Sequence, residues 1–193
     1  MRKNFYTFLT AIFATVLFSS CGYNSMVSLD EQVQSQWAQV QNVYQRRADL
    51  IPNLVNTVKG AANFEKETLT QVVEARAKAT SITVDPNKLT PENIQKFQSA
   101  QGELSQALGR LLSVVENYPE LKANQNFLGL QAQLEGTENR ITVERQKFNE
   151  VTQQYNSKIR SFPNNITASL FGFEKKGYFQ AEAGSQKAPT VQF

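Results

Sequence analysis

The 193-residue chain has no histidine and a single cysteine, Cys21, with only 9 glycines and 6 prolines. Each shortage excludes something. Without histidine there can be no Glu-x-x-His diiron or zinc site and no histidine-dependent nucleophilic triad. One thiol cannot close an internal disulfide. The glycines nowhere gather into a phosphate-cradling loop, and no cysteine pair or nucleophile motif stands in for one. An excess of one charge is also missing: 20 Lys and Arg face 17 Asp and Glu. Loss of Arg2 and Lys3 by cleavage before Cys21 would leave 18 against 17, which gives no electrostatic reason to bind nucleic acid. Strand-like alternation is absent as well.

What the chain does contain is a targeting signal followed by helix, a length that suits one domain. Met1-Arg2-Lys3 is a positive n-region, and Phe5 to Phe18 is an apolar h-region. Phe18-Ser19-Ser20-Cys21 then resembles a bacterial lipobox, which makes Cys21 the candidate lipidation site and residues 1–20 a lipoprotein-type signal peptide. The alternative is an uncleaved membrane anchor from Phe5 to about Val27. It is a marginal span, because crossing the hydrocarbon core takes roughly 20 apolar residues. Both readings attach the remainder to a membrane on its non-cytoplasmic side, since positive residues stay inside.

From Val27 the apolar residues step by three and four: Leu29, Val33, Trp37, Val40, Tyr44, Ile51, Leu54, Val58, with a gap at Arg47. Pro52 interrupts this stripe, and a mid-helix proline loses a backbone hydrogen bond. A kink at Pro52, or a junction between two helices, is therefore expected. A second helix follows from Phe64 to Ala79. Thr90-Pro91-Glu92 carries a cap, a first-turn proline and a dipole-complementing acid, which opens a third helix running to Asn117. Asn124 caps the last, whose stripe continues through Leu134, Ile141, Phe148, Val151, Tyr155 and Ile159 to Pro163. At about 38 residues that helix would measure roughly 57 Å. Residues 21–163 thus read as an all-α, elongated, antiparallel up-and-down bundle of three to four long helices.

Residues 164–193 form an aromatic-rich C-terminal segment and a mobile tail. Leu170, Phe171, Phe173, Tyr178 and Phe179 either fold back to cap the bundle or stay exposed as a partner patch. Among polar residues, Arg46, Arg47, Asp49 and Asn53 flank Pro52, while Glu135, Glu138, Asn139 and Arg140 lie on the last helix. Arg47, Asp49, Glu138 and Arg140 are the candidate inter-helix contacts, with Arg47 pairing Glu138 across the bundle. Glu74, Glu138 and Glu144 are the only carboxylates worth weighing as acid–base groups, and no spacing defines a pair among them.

Together these segments resemble the LemA family of bacterial membrane-associated proteins. The resemblance rests on Tyr23-Asn24 and Val27, on Trp37 with Val40-Gln41, and on Arg46-Arg47-Ala48-Asp49-Leu50-Ile51-Pro52-Asn53-Leu54-Val55. It continues through Glu74-Ala75-Arg76, Leu134-Glu135-Gly136-Thr137-Glu138-Asn139-Arg140-Ile141, Tyr155-Asn156, Phe162-Pro163 and Leu170-Phe171-Gly172-Phe173. It implies an N-terminal membrane segment, a helical bundle facing out of the cytoplasm, no cofactor and no established catalytic activity. Cys21 departs from the plain membrane helix that many such chains carry. The expectation is a non-enzymatic, membrane-tethered bundle in the bacterial envelope. It would meet an unidentified envelope protein or copies of itself, as a scaffold or as an accessory or sensor module of a membrane-bound enzyme or signalling system.

Overall fold

The apolar stripe of the first half of the chain forms one long helix, α1 (Arg2–Lys59). In the computed structural model, which describes the backbone of residues 2–60 and 64–181 and the side chains from Gly22 onward, α1 is continuous past Val27 and past Pro52. Of the two outcomes expected at Pro52, a junction between helices is therefore not what forms. The physical reason lies on the next helix, α2 (Lys66–Ser81). Proline has no N–H for the carbonyl four residues earlier. Arg76 of α2 supplies the missing donor, its Nε lying 2.8 Å from the Ala48 oxygen.

The remaining helices are α3 (Pro91–Val115), α4 (Pro119–Lys122), α5 (Gln125–Arg160) and α6 (Asn164–Phe171), and no strand occurs among the described residues. The Thr90 hydroxyl accepts from the Asn93 N–H and Pro91 opens the first turn of α3. Asn124 Oδ1 takes the N–H groups of Asn126 and Phe127 at 2.9 and 3.2 Å at the start of α5. α4 and α6 are short helices where the sequence pattern suggests only a stop and a tail. α6 ends because Gly172 turns left-handed, with φ 74°, and brings the Phe173 N–H onto the Ala168 carbonyl at 2.9 Å.

α1 packs antiparallel along α5, as Gln36 beside Glu144 and Arg47 beside Glu138 show. α2 packs against α3, and α6 lies against both α1 and α5 near residue 22. The 36 residues of α5 span roughly 54 Å. The core is in two parts. One is aromatic and centres on Trp37, Tyr44, Phe97, Phe148, Tyr155 and Phe179. The other is mainly aliphatic, with Ile51, Leu54, Val58, Leu104, Leu111 and Leu134 beside Phe64 and Phe127. On α1 the changeover falls between Tyr44 and Ile51, at Arg47.

Candidate functional site

Arg47 is 2% exposed, and the surrounding helices supply oxygen for its guanidinium. Nη1 donates to Ser105 Oγ at 2.8 Å and to Glu138 Oε2 at 2.9 Å. Nη2 donates to the Gln101 side-chain oxygen at 2.7 Å and to the Gln101 carbonyl at 3.2 Å. The amide nitrogen of Gln101 passes the network on to the Ala79 carbonyl at 3.3 Å, near the C-terminal end of α2. The guanidinium carbon also lies 5.1 Å from the centre of the Tyr44 ring. Nε makes no hydrogen bond. One side chain thus ties α1, α2, α3 and α5 into a polar layer between the two cores. Desolvation offsets much of the attraction in buried charge pairs of this kind.

Of the four polar residues singled out from the sequence, the fold brings Arg47 and Glu138 together and leaves the other two outside the layer. Asp49 is exposed and accepts from Gln45 at 2.7 Å, one turn earlier on α1. Arg140 is exposed on α5. Gln101 and Ser105 were not anticipated, although a signal existed. The α3 stripe steps from Phe97 to Leu104 and skips the core position that Gln101 fills.

A second polar system closes the aromatic core. Residues 173–180 run without regular secondary structure across α5 and the start of α3, held by side-chain amides that pair with the backbone as a neighbouring strand would. Asn156 accepts from the Lys176 N–H and donates to the Lys176 carbonyl, both at 2.9 Å. Asn149, two helical turns away, makes the same pair with Phe179 at 2.9 and 2.9 Å. Gln98 of α3 makes it with Gln180 at 3.1 and 2.7 Å. Arg145 adds a bond to the Gln180 carbonyl at 2.8 Å, and the Tyr155 hydroxyl donates to the Glu174 carbonyl at 3.0 Å. Burial, with the charges of Asp30 and Glu174, pushes the Tyr155 phenol well above its ordinary range. Lys176 reaches Asp30 of α1 at 2.6 Å.

The five residues expected to form one partner patch therefore do not share one surface. Phe179 is buried, stacked 6.0 Å from Trp37 and edge-on to Phe148 at 5.5 Å. Phe173 and Tyr178 are half-buried, whereas Leu170 and Phe171 are exposed. Phe179 turns inward because a ring of its size gains more from an aromatic core than from water. Cys21, the anchor at 1–20 and the expected mobile tail beyond Ala181 lie outside the residues whose side chains are described.

No three carboxylates or thiols stand close enough to hold a metal ion among the described residues. The carboxylates weighed for acid–base work stand in different settings. Glu74 lines an open polar groove with Lys78, Glu103 and Arg110. Glu138 serves Arg47. Glu144 accepts from Lys147 at 2.9 Å and from Gln36 at 2.6 Å, and those two bonds, Lys147 foremost, lower its pKa. Among the described residues no helix is long and apolar enough to cross a membrane.

A family model described as the LemA family matches residues 36–193. The magnetosome protein MamQ 2 of Paramagnetospirillum magneticum is 28% identical over 206 aligned positions, covering 95% of this chain and 73% of the relative. The magnetosome protein MamQ of Magnetospirillum gryphiswaldense is 27% identical over the same shares. Protein LemA of Metamycoplasma hominis is 26% identical over 158 positions, which is 82% of this chain and 68% of that one.

Proposed function

We propose that this chain, which belongs to the LemA family, is a non-enzymatic, membrane-tethered bundle that presents a stiff helical surface for protein–protein contact in the bacterial envelope. The observation that carries this reading is where the interior polar groups are used. Arg47, Gln101, Asn149 and Asn156 all hold helices or the tail in register. The Arg76 bond to Ala48 lets α1 run on through Pro52, with any bend there held by α2. Side chains committed in this way suit a spacer or scaffold better than a site that must take up and release a substrate.

The relatives named as magnetosome proteins support a place at a membrane-associated assembly. The apolar run from Phe5 to Phe18 supports attachment through the N-terminus, with Cys21 as the lipid-bearing residue and the bundle on the non-cytoplasmic side.

Crosslinking the full chain in intact membranes, followed by mass spectrometry of what is attached, tests the reading. A distinct envelope protein recovered with it supports contact in trans, and recovery of copies of the chain alone supports a self-assembling scaffold. Recovery with a membrane-bound enzyme or signalling protein whose output changes on deletion of the chain would replace the scaffold with an accessory or sensor role. Mass spectrometry of the mature N-terminus decides the anchor. An intact Met1 or an unmodified Cys21 ends the lipoprotein reading.

A further inference from the structure

The end of the bundle where α1, α5 and α6 meet carries the largest exposed apolar side chains of the described residues. Phe162 is 82% exposed, Leu170 78%, Ile166 62% and Phe171 59%. Ile166 and Leu170 are one turn apart and share a face of α6. Phe171 continues the patch onto α1, its ring 4.9 Å from that of Tyr23. A monomer in water rarely leaves so many large apolar groups together unless something covers them.

Three features say what covers them. The sequence of α6, NNITASLF, contains no charge, while three cations, Lys158, Arg160 and Lys175, flank it against one acid, Glu174, a balance that suits anionic headgroups. Tyr23 and Gly22, against which α6 packs, stand only five and four residues after Phe18, the last residue of the apolar N-terminal run. At 1.5 Å per residue that separation is roughly 7 Å along α1, so a bilayer taking up the run arrives at α6 as well. The rings also suit an interface: Phe162 and Phe171 are of the kind that an interfacial helix sinks into lipid, and Tyr23 beside them has the polar tip that favours the headgroup level.

We propose that the exposed face of α6, with Phe162 beside it, lies in the surface of the lipid bilayer, so that the bundle touches the membrane at a second point next to its anchor. This rests on the tethered reading, and the test separates the two. Trp37 is the single tryptophan and is buried in the aromatic core, out of reach of a quencher in the lipid, so an added indole reports on its own position against a constant background. The full chain carrying L170W, or I166W in a second variant, is reconstituted in phosphatidylglycerol and phosphatidylcholine vesicles with and without bromine on the upper acyl chains. V73W places an indole on an exposed site of α2, away from this end.

At the ~5–10 Å depth of an interfacial helix, bromine quenches the added emission of L170W and I166W by about half. V73W and the unsubstituted chain stay unchanged. A chain that floats with the vesicles while L170W and I166W are unquenched overturns the proposal and leaves the tether standing. A chain that does not float overturns both. Blue-shifted, unquenched emission with crosslinked pairs assigns the patch to a second copy and likewise overturns it.

Discussion

The two cores on either side of Arg47 are closed by different means. The mainly aliphatic one, around Leu54, Leu104 and Leu111, is filled mostly by branched side chains from the helices, joined by the Phe127 ring and, from the connections, by Phe64 and Tyr118, 5.0 Å apart. In the aromatic one, Trp37, Phe97 and Phe148 meet edge-on or tilted, at 5.1 and 5.5 Å from Trp37, and a fourth ring, Phe179, completes the packing from outside the helices. That ring arrives on a segment without helical hydrogen bonds, so its backbone groups need partners, and Asn149, Asn156 and Gln98 provide them. The difference teaches that a core built from rings can recruit irregular chain into a helical bundle, provided the helices carry amides where the chain lies.

The largest test of that contrast is F179A. Loss of a buried ring costs about 3–5 kcal/mol, and amide exchange should accelerate in α5 around residues 148–159 before it does around Leu54 and Leu111. Equal acceleration in both halves would show a single cooperative core. N156A leaves the Lys176 N–H and carbonyl without their partner, for about 1–3 kcal/mol; urea unfolding should show the loss and amide exchange should place it in the same half. G177A belongs with it. A Cβ there would stand 2.7 Å from Pro91 Cα, so the tail must lift and the Gly177 N–H must leave the Leu89 carbonyl.

At the boundary, R47A, E138A and the double variant form a thermodynamic cycle. The coupling should be about 1 kcal/mol, because Glu138 is 49% exposed and solvent screens it. Strict additivity would remove the pair from the account of helix alignment. The smallest effect is the pH dependence from Glu144. Its folded pKa is lowered, so its contribution is present above the ordinary glutamate value of about 4.3 and fades as pH falls through the depressed one. E144Q should lower the neutral plateau of a thermal-stability profile slightly and leave its acid limit unchanged, so that the acid side flattens.

The helices were legible because period and caps are local. Thr90-Pro91 and Asn124 mark starts that the structure keeps, and the gap in the stripe at Arg47 marks the buried polar layer. Glu138 was legible as its partner because the polar set around it on the last helix complements the one around Arg47 on the first. The donor to the Ala48 carbonyl was not, since nothing in the spacing of Pro52 points to Arg76. The path of residues 173–180 was hidden for a related reason. Asn149 and Asn156 look like ordinary polar residues until a backbone lies against them, and an irregular segment paired to side chains leaves no period of its own. The outcome at the aromatic tail followed ring by ring: Phe179 went inward, Phe171 stayed out, and composition could not divide them.

The reciprocal amide pairs have one more consequence. Each recognises a peptide group rather than a side chain, so the groove reads the course of the main chain and is indifferent to much of its lettering. At Gln180 the pairing with Gln98 uses only the backbone N–H and carbonyl. That position is open to almost any residue and closed to proline, whose ring has no hydrogen to give. Freedom of substitution and intolerance of one imino acid then coexist at a single site.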